Sequence, residues 1–248
     1  MRLHSYTLIA FTLGFFACQP QRTDLAQTII DQAIAIQGGP VIDQATIDFD
    51  FRGRHYRAIR DGGTFQYERI FTVDSSGALV RDVLTNEGLT RYINGEVVRL
   101  PSKDSAAYSS SVNSVIYYAL LPYFLNDPAV QKTYLDSVSI HNQPYHKIKV
   151  TFAQTGGGKD YEDEYVYWIH RKNYTMDYLA YNYHTDGGGA RFREAYQPRI
   201  IAGIRFTDFH NYEPIDQSLD VELFDRMYQQ DSMKLLSEIV TENIEVVN

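Results

Sequence analysis

Cysteine is almost absent from this chain: Cys18 is the only one in 248 residues. No disulfide can form within the chain, and no cysteine cluster can hold zinc. Cations are also short, with 23 Lys and Arg against 31 Asp and Glu and a formal net charge of -8. An acidic surplus offers nothing to a polyanion, so nucleic acid is not an expected partner. No apolar run approaches the roughly 20 residues that a helix needs to cross a hydrocarbon layer about 30 Å thick. No linker and no internal repeat breaks the chain, so one domain is expected.

Aromatic residues are abundant instead. Twenty Tyr and thirteen Phe favour strands and supply broad apolar faces. Leu25, Ile29 and Ala33, with Ala26, Ile30 and Ile34, form a stripe at helical spacing that Thr23 or Asp24 can cap and Gly38-Gly39-Pro40 ends. Ile47, Phe49 and Phe51 then alternate with polar residues, the period of a half-buried strand, and Gly53 reads as a bulge. Strands follow over 64–73, 79–85, 88–93 and 96–100, with Asn94-Gly95 a strong hairpin signal. Residues 104–125 read as a second helix, because Val112, Val115, Ile116, Ala119 and Leu120 share one face and Pro122 stops or kinks it. Further strands are expected over 135–141, 145–152, 164–170, 177–185, 190–196 and 200–212. Residues 219–228 read as helix, and 239–247 as a closing strand or a frayed end. The sum is one antiparallel sheet of roughly ten strands packed on a few helices, a mainly β, α+β class.

The first residues read as an export signal. Arg2 precedes an uncharged apolar run at 6–17, too short to span a bilayer. Phe15-Phe16-Ala17-Cys18 resembles a bacterial lipobox. That resemblance implies a signal peptide at 1–17, acyl chains such as palmitate on Cys18, a lipidated tether at 18–22 and a single β-rich domain over 23–248. Several acyl chains anchor stably where one does not. Gln19 follows the cysteine where an Asp would retain the protein inside, so resemblance to Gram-negative sorting rules implies the outer membrane, with the membrane face left open.

Residues 165–183 read YVYWIHRKNYTMDYLAYNY. A strand ends in Trp168-Ile169, a polar turn follows, and a strand rises from Met176. This resembles the LolA and LppX-like lipoprotein-carrier superfamily, as does a first helix ending in Gly-Gly. The resemblance implies a half-open antiparallel barrel around helices, with an apolar cavity for acyl chains or other hydrophobic ligands. A closer similarity, carried by VNSVIYYALLPYFLNDPAV, YVYWIHRKNYTMDYLAY and GGGARFREAY, is to uncharacterised Gram-negative (Bacteroidetes-type) lipoproteins.

Chemistry is weakly signalled. Gly156-Gly157-Gly158-Lys159-Asp160 lacks the spacing of a phosphate loop, and Gly187-Gly188-Gly189 reads likewise as a flexible turn. His170 and His184 fall at opposite ends of one hairpin, with Asp186 near, yet no set of three or four metal ligands emerges. Ser109, Ser110, Ser111 and Ser114 sit outside any nucleophile elbow. Glu162-Asp163-Glu164 alternate between sheet faces, and so cannot flank one bond. No enzyme activity and no cofactor are expected. The candidate ligand-binding set is aromatic and cationic: Tyr117, Tyr118 and Phe124 near the second helix, Trp168 and Tyr178 on strands, and Arg191 and Arg193 on one strand face. Arginine suits a carboxylate or phosphate head group, or else these two pair with Glu162, Asp163 or Glu164. The expected function is a membrane-anchored envelope lipoprotein binding a hydrophobic or amphipathic ligand in a concave cavity. The alternatives are a non-catalytic structural or interaction module, and a hydrolase of unknown substrate.

Acylation at Cys18 has a direct check. In cells, Cys18→Ser should move the chain from the detergent-rich to the aqueous phase of a cloud-point extraction and remove the lipid mass from its N-terminal peptide. An unchanged partition would show that the anchor lies elsewhere.

Overall fold

A computed structural model of the chain describes residues 22–155, 161–184 and 187–247. The signal peptide, Cys18 and most of the tether, the glycine loop at 156–160 and Asp186 lie outside the described residues. The chain opens with helix α1 (Arg22–Gln37) and the short α2 (Gly39–Ile42). A meander follows: β1 (Thr46–Phe51), β2 (Arg54–Asp61), β3 (Thr64–Val73), β4 (Ala78–Thr85), β5 (Gly88–Ile93) and β6 (Glu96–Val98). Helix α3 (Ser102–Ala119) and a 3-10 turn (Tyr123–Asn126) lead to a second meander: β7 (Val130–Ile140), β8 (Gln143–Phe152), β9 (Tyr165–His170), β10 (Met176–Tyr183), β11 (Gly189–Ile201) and β12 (Ile204–Pro214). A 3-10 turn (Val221–Leu223), α4 (Phe224–Gln229), β13 (Met233–Ile239) and β14 (Glu242–Val247) complete the chain.

The expected class is the one found: mainly antiparallel β, half-open, around a few helices. The strand count and the sheet division differ from the sequence reading. Two seven-stranded sheets run in the orders β14-β1-β2-β3-β4-β5-β6 and β13-β12-β11-β10-β9-β8-β7. The segment read as one closing strand is the reason. β13 pairs with β12, while β14 pairs with β1. The chain therefore crosses from one sheet to the other between Ile239 and Glu242. This crossing is the seam of the half-barrel, and β6 and β7 are its outer edges.

β2 is the strand that the pattern hid. Gly53 is not a bulge. Arg52 (φ 50°) and Gly53 (φ 69°) are both left-handed, and Phe51 pairs with Arg54. That is a two-residue hairpin of the type whose twist matches its strands. Asn94-Gly95, with φ 52° and 88°, makes the hairpin expected of it between β5 and β6. Arginine has no preference for a left-handed turn, so the first hairpin left no mark in the sequence.

Helices fill the concave side. The stripe of α1 buries Ala26, Ile29, Ile30 and Ala33 against Ile148, Val150, Tyr167 and Leu179 of the second sheet. α3 buries Val112 and Ile116, with Leu120 just beyond its end, against Phe49, Tyr56, Tyr67 and Leu84 of the first. Pro122 does stop this helix: α3 ends at Ala119 and a 3-10 turn takes over. The second sheet is also covered outside. Trp168, Tyr178 and Phe192 pack beneath Val221 and Phe224. Lys147 locks that cover down, pairing with Asp225 at 2.8 Å and donating to the carbonyl of Glu222.

The N-terminal half of α3 rests on charge. Asp82 is fully buried and accepts from Arg69 Nη2 at 2.6 Å and from Arg91 Nε at 2.6 Å. Arg69 also donates to Ser111 of α3 at 2.7 Å, and the Arg91 guanidinium lies 3.6 Å from the ring centre of Tyr108. Burial alone would raise the Asp82 carboxyl pKa, but the bonds from Arg91 and Arg69 outweigh it and hold it below the usual range. Removing one member of a buried pair leaves an uncompensated charge, which costs about 3–5 kcal/mol. Asp82→Asn should lose stability on that order in urea unfolding at pH 7. A folded pKa below the unfolded value of about 3.9 stabilises above that value and is lost as pH falls through the folded one. The gap between wild type and Asp82→Asn should therefore close below about pH 4. A gap that stays constant down to pH 2 would assign the loss to packing instead.

Candidate functional site

Helix α3 divides the space inside the half-barrel into two cavities. One lies at the seam and has a volume of about 210 Å³. Ser114, Val115, Tyr118 and Ala119 form its helical wall. Phe51, Phe209 and Ile239 supply apolar surface from β1, β12 and β13, and Arg52 stands exposed on its lining. The other cavity, about 390 Å³, lies against the opposite flank of the helix at Asn113 and Tyr117. Phe65, Tyr67, Phe124 and Phe152 line it, with Arg60 and Asp127.

Arg193 dominates the seam cavity. It lies on β11 next to Phe192, which faces outward, so alternation turns Arg193 inward. It is 8% exposed. Its guanidinium carbon sits 4.3 Å from the ring centre of Tyr118 and 5.2 Å from that of Tyr181. Nη2 donates to the Tyr181 hydroxyl at 3.0 Å, while Nε is buried without a hydrogen-bond partner. Desolvation, with the fields of Tyr165 and Tyr181 added, pushes the Tyr118 hydroxyl well above the ordinary phenol value, against the pull of Arg193. Tyr118 is thus a neutral wall and offers no negative charge to the arginine. Tyr181 stacks on Tyr165 at 5.5 Å, which extends the aromatic wall across the sheet.

The second cavity carries a related group with a different balance. The Arg60 guanidinium lies 4.9 Å from the ring of Tyr123 and 5.5 Å from that of Phe124, and Nη1 donates to Tyr67. Its Nε also lacks a partner, but the Asp127 carboxylate lines the same space.

The candidate residues separate into three places. Tyr118 and Arg193 meet at the seam. Tyr117 and Phe124 stack at 5.0 Å beside the second cavity. Trp168 and Tyr178 are buried on the far side of the second sheet, against Phe192 at 5.5 and 5.6 Å, and do not reach the concave side. Tyr167 and Ile169 take the inward positions of β9, so Trp168 must point out. Arg191 shares a strand face with Arg193 but lies two residues nearer the strand's start. It sits 5.4 Å over Tyr183 and lines a separate hollow with Gly187 and Glu213. Glu162, Asp163 and Glu164 take other partners: Glu164 pairs with Lys149, Asp163 with His184 and Glu162 with Tyr161. Ser109 and Ser114 donate to backbone within α3. Among the described residues, no three His, Cys, Asp or Glu side chains group as metal ligands. Phe209 and Ile239, which line the seam cavity, and Tyr181, which holds Arg193, are residues that the sequence did not single out. Tyr181 stood inside the segment that carried the family resemblance, whereas Ile239 was hidden at the unseen strand break.

Solved structures share this architecture at low identity. A DUF1329 family protein from Desulfovibrio piger aligns over 89% of this chain and 92% of its own, with 12% identity and a TM-score of 0.52. A candidate outer membrane lipoprotein-sorting protein domain from Vibrio parahaemolyticus aligns over 90% and 93%, with 9% identity and a TM-score of 0.50. A LolA superfamily protein from Nitrosomonas europaea aligns over 90% and 91%, with 11% identity and a TM-score of 0.49. The first two are likenesses of fold. No curated protein matches the chain. The matching family model covers residues 6–243 and is described as a family of unknown function, DUF6503.

Proposed function

The chain belongs to DUF6503, a family of unknown function, and from the geometry of its half-barrel we propose a ligand-binding lipoprotein of the cell envelope. It is anchored through acyl chains on Cys18, in the outer membrane, and holds a hydrophobic or amphipathic ligand beside α3. The observation that carries this reading is the seam cavity. Phe51, Val115, Tyr118, Phe209 and Ile239 surround a space that no side chain fills. A mostly apolar lining with a few placed polar groups is the general form of a small-molecule site.

Volume limits the ligand. Pockets that bury a drug-sized ligand measure about 300–1,000 Å³, which the seam cavity, at about 210 Å³, does not reach. It suits one hydrocarbon chain or a small apolar body, and the second cavity, at about 390 Å³, has room for somewhat more. No helix among the described residues is long and apolar enough to cross a membrane.

Filling the cavity tests the proposal. Gently purified protein should release a small hydrophobic molecule on denaturation, detected by native mass spectrometry. Ala119→Trp places an indole in the space, at a cost of about 1–3 kcal/mol if it overpacks. It should lower the affinity for the neutral probe N-phenyl-1-naphthylamine at least tenfold while urea unfolding remains cooperative. Probe affinity that is unchanged in Ala119→Trp, or absent from wild type, would overturn the reading and leave a structural module as the better account.

A further inference from the structure

We propose that the ligand of the seam cavity carries one anionic head, a carboxylate or a phosphate, and that Arg193 is the residue that binds it. This rests on the cavity being a ligand site and adds the chemistry of what enters it.

The argument begins with how this protein treats its other inward or buried arginines. Arg69 and Arg91 share Asp82. Arg199 pairs with Asp208 at 2.9 Å, and Arg60 has the Asp127 carboxylate in its own cavity. Arg193 has no such companion. It is more than nine-tenths buried, yet no carboxylate among the described residues lies within ion-pair distance of it. Its one side-chain hydrogen bond goes to the Tyr181 hydroxyl, and Nε donates to nothing. A buried charge without a counterion is heavily penalised, and a buried donor without an acceptor adds to the cost. Evolution of a stable fold alone would replace such a residue with an apolar one. A ligand that supplies the missing anion accounts for its presence.

The surroundings fit that role. Tyr118 and Tyr181, their ring centres 5.6 Å apart, lie side by side against the guanidinium, which fixes its direction and leaves its other side toward the cavity. A guanidinium presents paired N–H groups in a fork that matches a carboxylate or phosphate. Ser114 and Thr207 add hydroxyls to the cavity wall, and Arg52 adds a second cation to the lining. Val115, Phe209 and Ile239 offer apolar surface to a chain attached to the head. The site is cationic in a chain whose formal charge is -8, so general charge composition does not explain it.

Three compounds with one chain and three heads provide the test: dodecanoate, dodecyl phosphate and dodecanol, each below its micelle concentration. Each competes for N-phenyl-1-naphthylamine bound to the full chain carrying Cys18→Ser. On wild-type Arg193, one or both anions should displace the probe at least tenfold more tightly than dodecanol. The stronger of the two identifies the head group. Arg193→Met should abolish that preference while dodecanol still displaces the probe, which also reports that the cavity is intact. Arg193→Lys should keep part of the preference. Equal affinity for the three compounds, or a preference that survives Arg193→Met, would overturn the assignment while leaving a neutral hydrophobic site in place. Failure of the probe and of all three compounds to bind would remove the cavity reading together with it.

Discussion

β13 and β14 follow one another in the chain and yet belong to different sheets, and most of the architecture follows from that crossing. A sheet that twists steadily and never closes must either flatten or split. Here it splits at Ile239–Glu242, so that β12 and β1 are linked through two consecutive strands that each pair on one side only. The concave faces are thereby turned toward each other, and helices are needed between them. α1 covers the second sheet and α3 the first. Neither reaches fully into the corner where the chain crosses, which leaves the space bounded by Phe51, Phe209 and Ile239.

Tyrosines stand among the aliphatic residues around α3, and this has an electrostatic result. Leucine at the same positions would exclude water equally well but would give an arginine nothing to lie against. Tyr118, Tyr167 and Tyr117 are all raised above the ordinary phenol value, chiefly by desolvation. They remain protonated throughout the physiological range, so they contribute faces and hydroxyls but no charge. These tyrosines therefore add no negative charge to the interior of the half-barrel near neutral pH.

Local signals in the sequence were legible where one physical cause acted alone. The stripe from Ala26 to Ala33 has one buried face, and its helix lies where it was expected, except that it begins at Arg22, so Thr23 and Asp24 sit in its first turn and not at its cap. Asn94-Gly95 needs two left-handed residues, and its composition says so. Arg52-Gly53 makes the same turn with a residue that gives no such signal, and β2 vanished from the reading with it. The run around Trp168 posed a different difficulty. Tyr165-Val166-Tyr167-Trp168-Ile169 is apolar throughout because both faces of β9 are covered, one by α1 and one by the segment at Val221 and Phe224. Alternation cannot tell inside from outside in such a strand. Tyr117 and Tyr118 fall outside the apolar stripe of their helix, and no local pattern shows that a cavity lies on each flank of it. The lone Nε of Arg193 depends on what is missing around it, and a sequence does not record that.

α1 begins at Arg22, four positions beyond Cys18. A fully extended chain covers at most about 3.3–3.6 Å per residue, so a domain acylated at Cys18 is leashed within about 14 Å of its attachment point. That is about half the thickness of a hydrocarbon layer. Under the proposed anchor, a protein held so closely would not shuttle a ligand between membranes. It would receive or surrender a molecule at the surface where it stands, as a resident station rather than a courier.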